Sequence, residues 1–158
     1  MILDHVVGQE AGRELANLVR KMTVAGRKRL YVMASGKRSD DFIRATGRAL
    51  AGAFDAYVCT NSATRMRPDP MTVPELLRDG LVGSGVPPTE IICIPSEEDA
   101  LRRAVRDAGL GDLLVVVSYE TDKAVALIES FDANRSEPVD VQSGMPRHPD
   151  VEPRGANS

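Results

Sequence analysis

Six consecutive residues, Ser35-Gly36-Lys37-Arg38-Ser39-Asp40, combine two hydroxyls, a flexible glycine and two cations directly ahead of a helical pattern. That combination suits an anion, because a helix N-terminus has unpaired N–H groups and the positive end of the peptide dipole. The plainer reading is a tight turn with a capped helix and solvated charges. A second stretch, Asn61 through Pro70, carries Arg65 and Arg67, whose guanidinium forks could grip a carboxylate or phosphate. Equally, they could be two exposed charges on a mobile loop. The third stretch is Ser118-Tyr119-Glu120-Thr121-Asp122, where Ser118 could donate to a ligand, the plainer reading being a helix cap by Thr121 or Ser118.

Other chemistries find less support. Gly36-Lys37 followed by Ser39 looks like the end of a P-loop, but that motif needs a glycine five residues earlier and Ser or Thr directly after the lysine, where this chain has Tyr31 and Arg38. His5 and His148 are far apart in sequence, which gives no metal site and no Cys/His pair. The Gly83-Ser84-Gly85 stretch falls where a helix should end, so it is no nucleophile elbow. Asp40, Asp41, Glu97 and Glu98 stand at helix starts, where they complement the dipole. No catalytic residue is assigned.

The elements that must position the three stretches follow from periodicity. Met1 to Asp4 reads as a short edge strand, and Ala11, Leu15, Leu18, Val19 and Met22 recur at helical spacing. Residues 29–34 form a buried strand, and Ser39-Asp40-Asp41 opens a helix with Phe42, Ala45, Ala49 and Ala53 inward. A strand over 56–60 precedes the arginine loop, and Thr72-Val73-Pro74-Glu75 has the form of a capping box. Ile91 to Ile94 is a strand, Ser96 caps a helix through Leu101, Ala104 and Val105, and Leu113 to Val117, the most hydrophobic run, reads as the central strand. A last helix runs from about Asp122 to Ser130. Strands without alternation, separated by helices, make a three-layer αβα sandwich, an α/β fold with a mainly parallel, Rossmann-like sheet. In such sheets ligands bind beyond the carboxyl ends of the strands, which is where the three stretches lie.

At 158 residues the chain suits one domain, expected over residues 1–133, followed by a disordered Pro-rich tail over 134–158. A net charge of −3 gives no electrostatic case for nucleic acid. No apolar run approaches the roughly 20 residues of a membrane span and no leader is evident, so a cytoplasmic protein is expected. Cys59 and Cys93, each in an apolar run, read as buried free thiols, which agrees with that compartment.

The stretch from Gly36 to Arg44, then Gly47, Ala51, Phe54-Asp55, Arg65-Met66-Arg67 and Val73 through Leu81, resembles the C-terminal domain of Mur-type amide ligases, closest to that of cyanophycin synthetase. Glu98 through Leu101 and Gly111 through Val117 continue the match, which covers roughly residues 1–130. The resemblance implies a Rossmann-like domain that closes over a separate ATP-binding domain, in enzymes that activate a carboxylate as an acyl phosphate for attack by an amine. It implies that the loop from Gly36 to Asp41 holds the incoming amino acid or the phosphate side, with Arg65 and Arg67 on the same rim. The family's Tyr-x-His-Asn-Pro opening is absent, since His5-Val6-Val7-Gly8-Gln9 follows Asp4, and Lys37 stands where an acidic residue is usual.

With no P-loop domain in the sequence, the expectation is a free-standing, diverged ligase domain. It would be a non-catalytic subunit or substrate-binding module, with no cofactor of its own and with ATP and magnesium entering only through a partner. The expected site residues are Ser35, Gly36, Lys37, Arg38, Ser39, Asp40, Arg65, Arg67 and Ser118, and the expected partners are an ATP-binding ligase subunit and a small anionic or amino-acid ligand, with a homo-oligomer possible. The other reading is an anion or nucleotide sensor without catalysis.

Overall fold

The computed structural model describes residues 2–4 and 8–135. The proposed tail beyond its first two residues, which end the last helix, and the segment with His5 lie outside them, as does His148. Five strands, β1 (Ile2–Asp4), β2 (Lys28–Ala34), β3 (Ala56–Asn61), β4 (Ile91–Cys93) and β5 (Leu113–Val117), form one sheet in the order β1-β5-β2-β3-β4. Every pairing is parallel. The expected edge position of β1 holds. The expected centre does not: β5 lies between β1 and β2, and β2 takes the middle. Both strands are buried on both faces, and hydrophobicity alone does not rank two such interior strands.

Helices α1 (Gln9–Lys21), α2 (Asp40–Leu50) and α3 (Thr72–Val82) cover one face, where Leu15, Val19, Ile43, Leu50, Leu77 and Leu81 pack on β2, β3 and β5. Helices α4 (Glu97–Asp107) and α5 (Thr121–Arg135) cover the other, through Leu101, Ala104, Ala124 and Ile128 on Tyr31, Met33 and Val116. This is the three-layer αβα sandwich. Helices α2 and α3 cross at Gly47 and Gly80, since a Cβ on Gly47 would collide with the Leu77 carbonyl and one on Gly80 with that of Arg44.

Local departures have local causes. Leu18 is exposed, because the buried arc of α1 is set by Gly12, Leu15, Ala16 and Val19. Phe42 is only half-buried, and Ile43 fills the core beside it. The capping box is not formed: Met71 precedes the first turn without a side-chain cap, and Asp69 Oδ1 accepts from Met71 N–H at 2.9 Å. Cys59 is fully buried, but Cys93 on edge strand β4 is only partly so. Ser39 and Ser96 cap α2 and α4 as expected, accepting from Phe42 N–H and Asp99 N–H at 3.2 Å each. Among the described residues no helix is long and apolar enough to cross a membrane.

The connections split where the site is expected. After β4 the chain returns beneath the sheet through α4 and inserts β5 between β1 and β2. Adjacent strands β2 and β5 therefore exit to opposite faces, and so do β3 and β4. Each split opens a crevice at the carboxyl edge, the place where open parallel sheets bind ligands.

Candidate functional site

All strands being parallel, the three candidate stretches leave one edge of the sheet, and the structure brings them into contact. Gly36 N–H donates to Arg65 O at 2.8 Å, and Ser62 N–H donates to Ala34 O at 3.1 Å. A Cβ on Gly36 would collide with the Arg65 carbonyl and crowd Arg67. Glycine is thus required so that the arginine loop can lie across the end of β2. From there Arg65 reaches the loop after β5, its guanidinium 5.5 Å above the centre of the Tyr119 ring.

Arg67 departs from its expected use. Its Nε donates to Gly36 O at 3.1 Å, its Nη1 to Asp40 Oδ1 at 2.6 Å and its Nη2 to Arg38 O at 2.8 Å. The fork that was to grip a ligand instead clasps the neighbouring loop, because three acceptors of residues 36–40 already meet it. Asp40, besides flanking the start of α2, is the anionic half of that clasp.

The turn's backbone also faces inward. Lys37 N–H donates to Ser35 Oγ at 3.3 Å and Arg38 N–H to Ser35 O at 3.1 Å, so with Gly36 three successive amides are spent within the protein. A phosphate cradle needs such amides pointing at the ligand. These three amides are therefore not offered to an anion, which at this turn would meet the Lys37 and Arg38 side chains. Ser118 behaves likewise: buried, it accepts from Glu120 N–H at 3.1 Å and stabilises the turn before α5.

Lys37, Arg38 and Arg65 remain. All three are exposed, and none has a carboxylate in ion-pair range among the described residues. Arg38 lies 4.9 Å above the Phe42 ring. A cation over a ring face keeps N–H groups with which to donate, so both arginines lie against an aromatic ring and are able to bind.

Beside this rim, at the split between β3 and β4, lies a cavity of about 610 Å3 between α4 and α5, lined by Met66, Pro95, Leu101, Lys123, Ala124 and Leu127. Its size suits a small ligand. Buried Asn61 fixes its wall, with Nδ2 donating to Pro70 O at 2.8 Å and Pro95 O at 2.9 Å. Glu97 accepts from Ala63 N–H at 3.2 Å, tying α4 to the arginine loop. Lys123 pairs with Glu120 at 3.2 Å, and this bond, with Glu97 and Glu98 nearby, raises its pKa. Sequence reasoning missed this cavity and the Tyr119 platform, since both depend on which loops meet. The only signal was positional: Asn61 and Tyr119 each sit at the end of an apolar strand. Among the described residues no group of three or more His, Cys, Asp or Glu is placed to hold a metal ion.

No protein-family model matches the chain, and no curated protein matches it. Among solved structures it is similar to a Mur ligase, UDP-N-acetylmuramoyl-L-alanyl-D-glutamate–2,6-diaminopimelate ligase, with a TM-score of 0.69 and 16% identity over 84% of this chain. The match takes in 29% of that ligase, so the chain spans less than a third of its length. The shared feature is the fold, and the Rossmann-like architecture expected from the sequence is the one present.

Proposed function

We propose that this chain is a substrate-positioning module of the Mur-ligase type, nearest in kind to that of cyanophycin synthetase. In this reading it holds the carboxylate or phosphate of an amino-acid-like substrate for an ATP-dependent amide ligase. The observation that supports it is the carboxyl edge of the sheet, where Lys37, Arg38 and Arg65 stand without carboxylate partners on two loops locked together through Gly36 and Arg67. The module itself makes and breaks no bond. ATP and magnesium belong to a separate ATP-binding unit, in keeping with a turn whose amides face inward, and the compartment is the cytoplasm.

Calorimetry of the purified chain with aspartate, glutamate and inorganic phosphate tests the anion site. One of these should bind saturably, stabilising the fold by about 2.7 kcal/mol at a hundredfold excess over its dissociation constant. Lys37→Ala combined with Arg65→Ala should abolish that binding. Unchanged binding in the double variant, or ATP hydrolysis by the chain alone, would sink the proposal. The same cations also suit an anion sensor; tight binding with no ligase-type ATPase recovered alongside the chain from its host would favour that reading.

A further inference from the structure

Cys59 and Cys93 are the chain's two cysteines, and they face each other as register partners on β3 and β4. Both side chains point to the face covered by α1, α2 and α3, where Cys59 is in the core and Cys93 packs against it. Paired strands lie about 4.8 Å apart, within the Cα separations of about 4.4–6.8 Å that a disulfide spans. Strand β4 has three residues, lies at the sheet edge and pairs only with β3, so it is the segment best able to adjust. The two thiols differ in access, Cys59 being fully buried and Cys93 partly open.

We propose that this pair is a thiol modification site that reacts with hydroperoxides, Cys93 attacking and Cys59 resolving, to close a disulfide between β3 and β4. The attack breaks the peroxide O–O bond: Cys93–SH and ROOH give Cys93–SOH and ROH. Cys59–SH then displaces water from the sulfenic acid, forming the S–S bond. Two electrons pass from the thiols to the peroxide, and the two thiol protons leave in the alcohol and the water. The division of roles has a local cause. Cys93 is the partly accessible thiol and Cys59 the enclosed one; contact with Cys59 and the Arg78 cation ease Cys93 toward ionisation, against burial and the Glu75 and Asp79 carboxylates, while Cys93 and burial push Cys59 up. Cys93 Sγ also donates to Pro74 O at 3.4 Å, which holds it against α3.

The full chain, reduced and then treated with hydrogen peroxide, should lose both thiols together, fall in mass by two hydrogen atoms, stay monomeric without reductant and recover with dithiothreitol. Cys59→Ser should accumulate a sulfenic acid at position 93 that dimedone traps. Cys93→Ser should slow oxidation of Cys59 at least about tenfold, as expected when the accessible thiolate is removed. Persistence of both thiols, a disulfide between chains, or equal rates for wild type and Cys93→Ser would overturn the assignment. The wild-type mass measurement decides the matter even if a variant folds poorly.

Discussion

The two edges of the sheet are sewn by the same stitch. At the amino edge Gly26 N–H donates to Gly111 O at 2.9 Å, and a Cβ on Gly26 would collide with Asp112. At the carboxyl edge Gly36 meets Arg65 in the same way. The charges beside the two stitches are used differently. At the amino edge Arg29 Nε donates to Asp112 at 2.6 Å, Arg27 Nη2 to Asp55 O at 2.9 Å and Lys28 Nζ to Val19 O at 2.8 Å, so each cation has a protein acceptor. At the carboxyl edge Arg67 is consumed in this manner and Lys123 pairs with Glu120, while Lys37, Arg38 and Arg65 have no carboxylate partner among the described residues. One edge is closed on itself and contributes to stability. The other is closed through Gly36 and Arg67 and leaves three cations exposed on the joined loops.

The largest effects should come from breaking the stitches. Gly26→Val forces apart the loops before β2 and β5 and should cost about 3 kcal/mol, read from the urea midpoint. Gly36→Val displaces a loop on a more solvated edge and should cost about 1–2 kcal/mol, while abolishing any anion binding measured by calorimetry. Equal losses of stability, or binding that survives Gly36→Val, would erase the distinction between the edges.

The elements that build both edges were legible in the sequence, for identifiable reasons, but the contrast between the edges was not. The strands and the caps at Ser39 and Ser96 follow from local pattern, and the reading of a parallel sheet is what puts the three candidate stretches at one edge. What could not be read was partnership across the chain. Arg65 and Arg67 are two residues apart and look interchangeable, yet one stacks on Tyr119 and the other is spent on Asp40. That difference arises because the loop crosses β2, a long-range fact. Strand rank failed similarly, since the insertion of β5 beside β1 leaves no trace in the hydrophobicity of either.

Asp112 sharpens the amino-edge half of the comparison through pH. Its carboxylate accepts from Arg27 N–H at 2.7 Å, Arg29 Nε at 2.6 Å and Gly109 N–H at 3.1 Å, and these bonds hold its pKa far below the usual range. A carboxyl depressed on folding stabilises above its unfolded pKa, about 3.9, and loses that contribution as pH falls toward the folded value. Wild type should therefore be more stable than Asp112→Asn by a constant margin from neutral pH down to about 5. The margin should shrink below about pH 4. Urea midpoints across that range check it, and a margin independent of pH would mean that the ionised carboxylate is not what holds the edge.

The smallest stability effect should belong to Arg65, and that is what makes it informative. Its side chain is exposed and its described contact is the face of Tyr119, worth little at such a site. Arg65→Ala should shift stability by less than about 0.5 kcal/mol, yet weaken anion binding about tenfold, the effect of losing one charge-assisted contact of about 1.4 kcal/mol. Arg65→Lys keeps the charge but loses the flat stacking face and the fork, so it should recover only part of the affinity. Full recovery by lysine would mean that the rim acts through charge alone and that the Tyr119 platform contributes nothing to binding. A large loss of stability in Arg65→Ala would instead show that the carboxyl edge relies on its cations as the amino edge does.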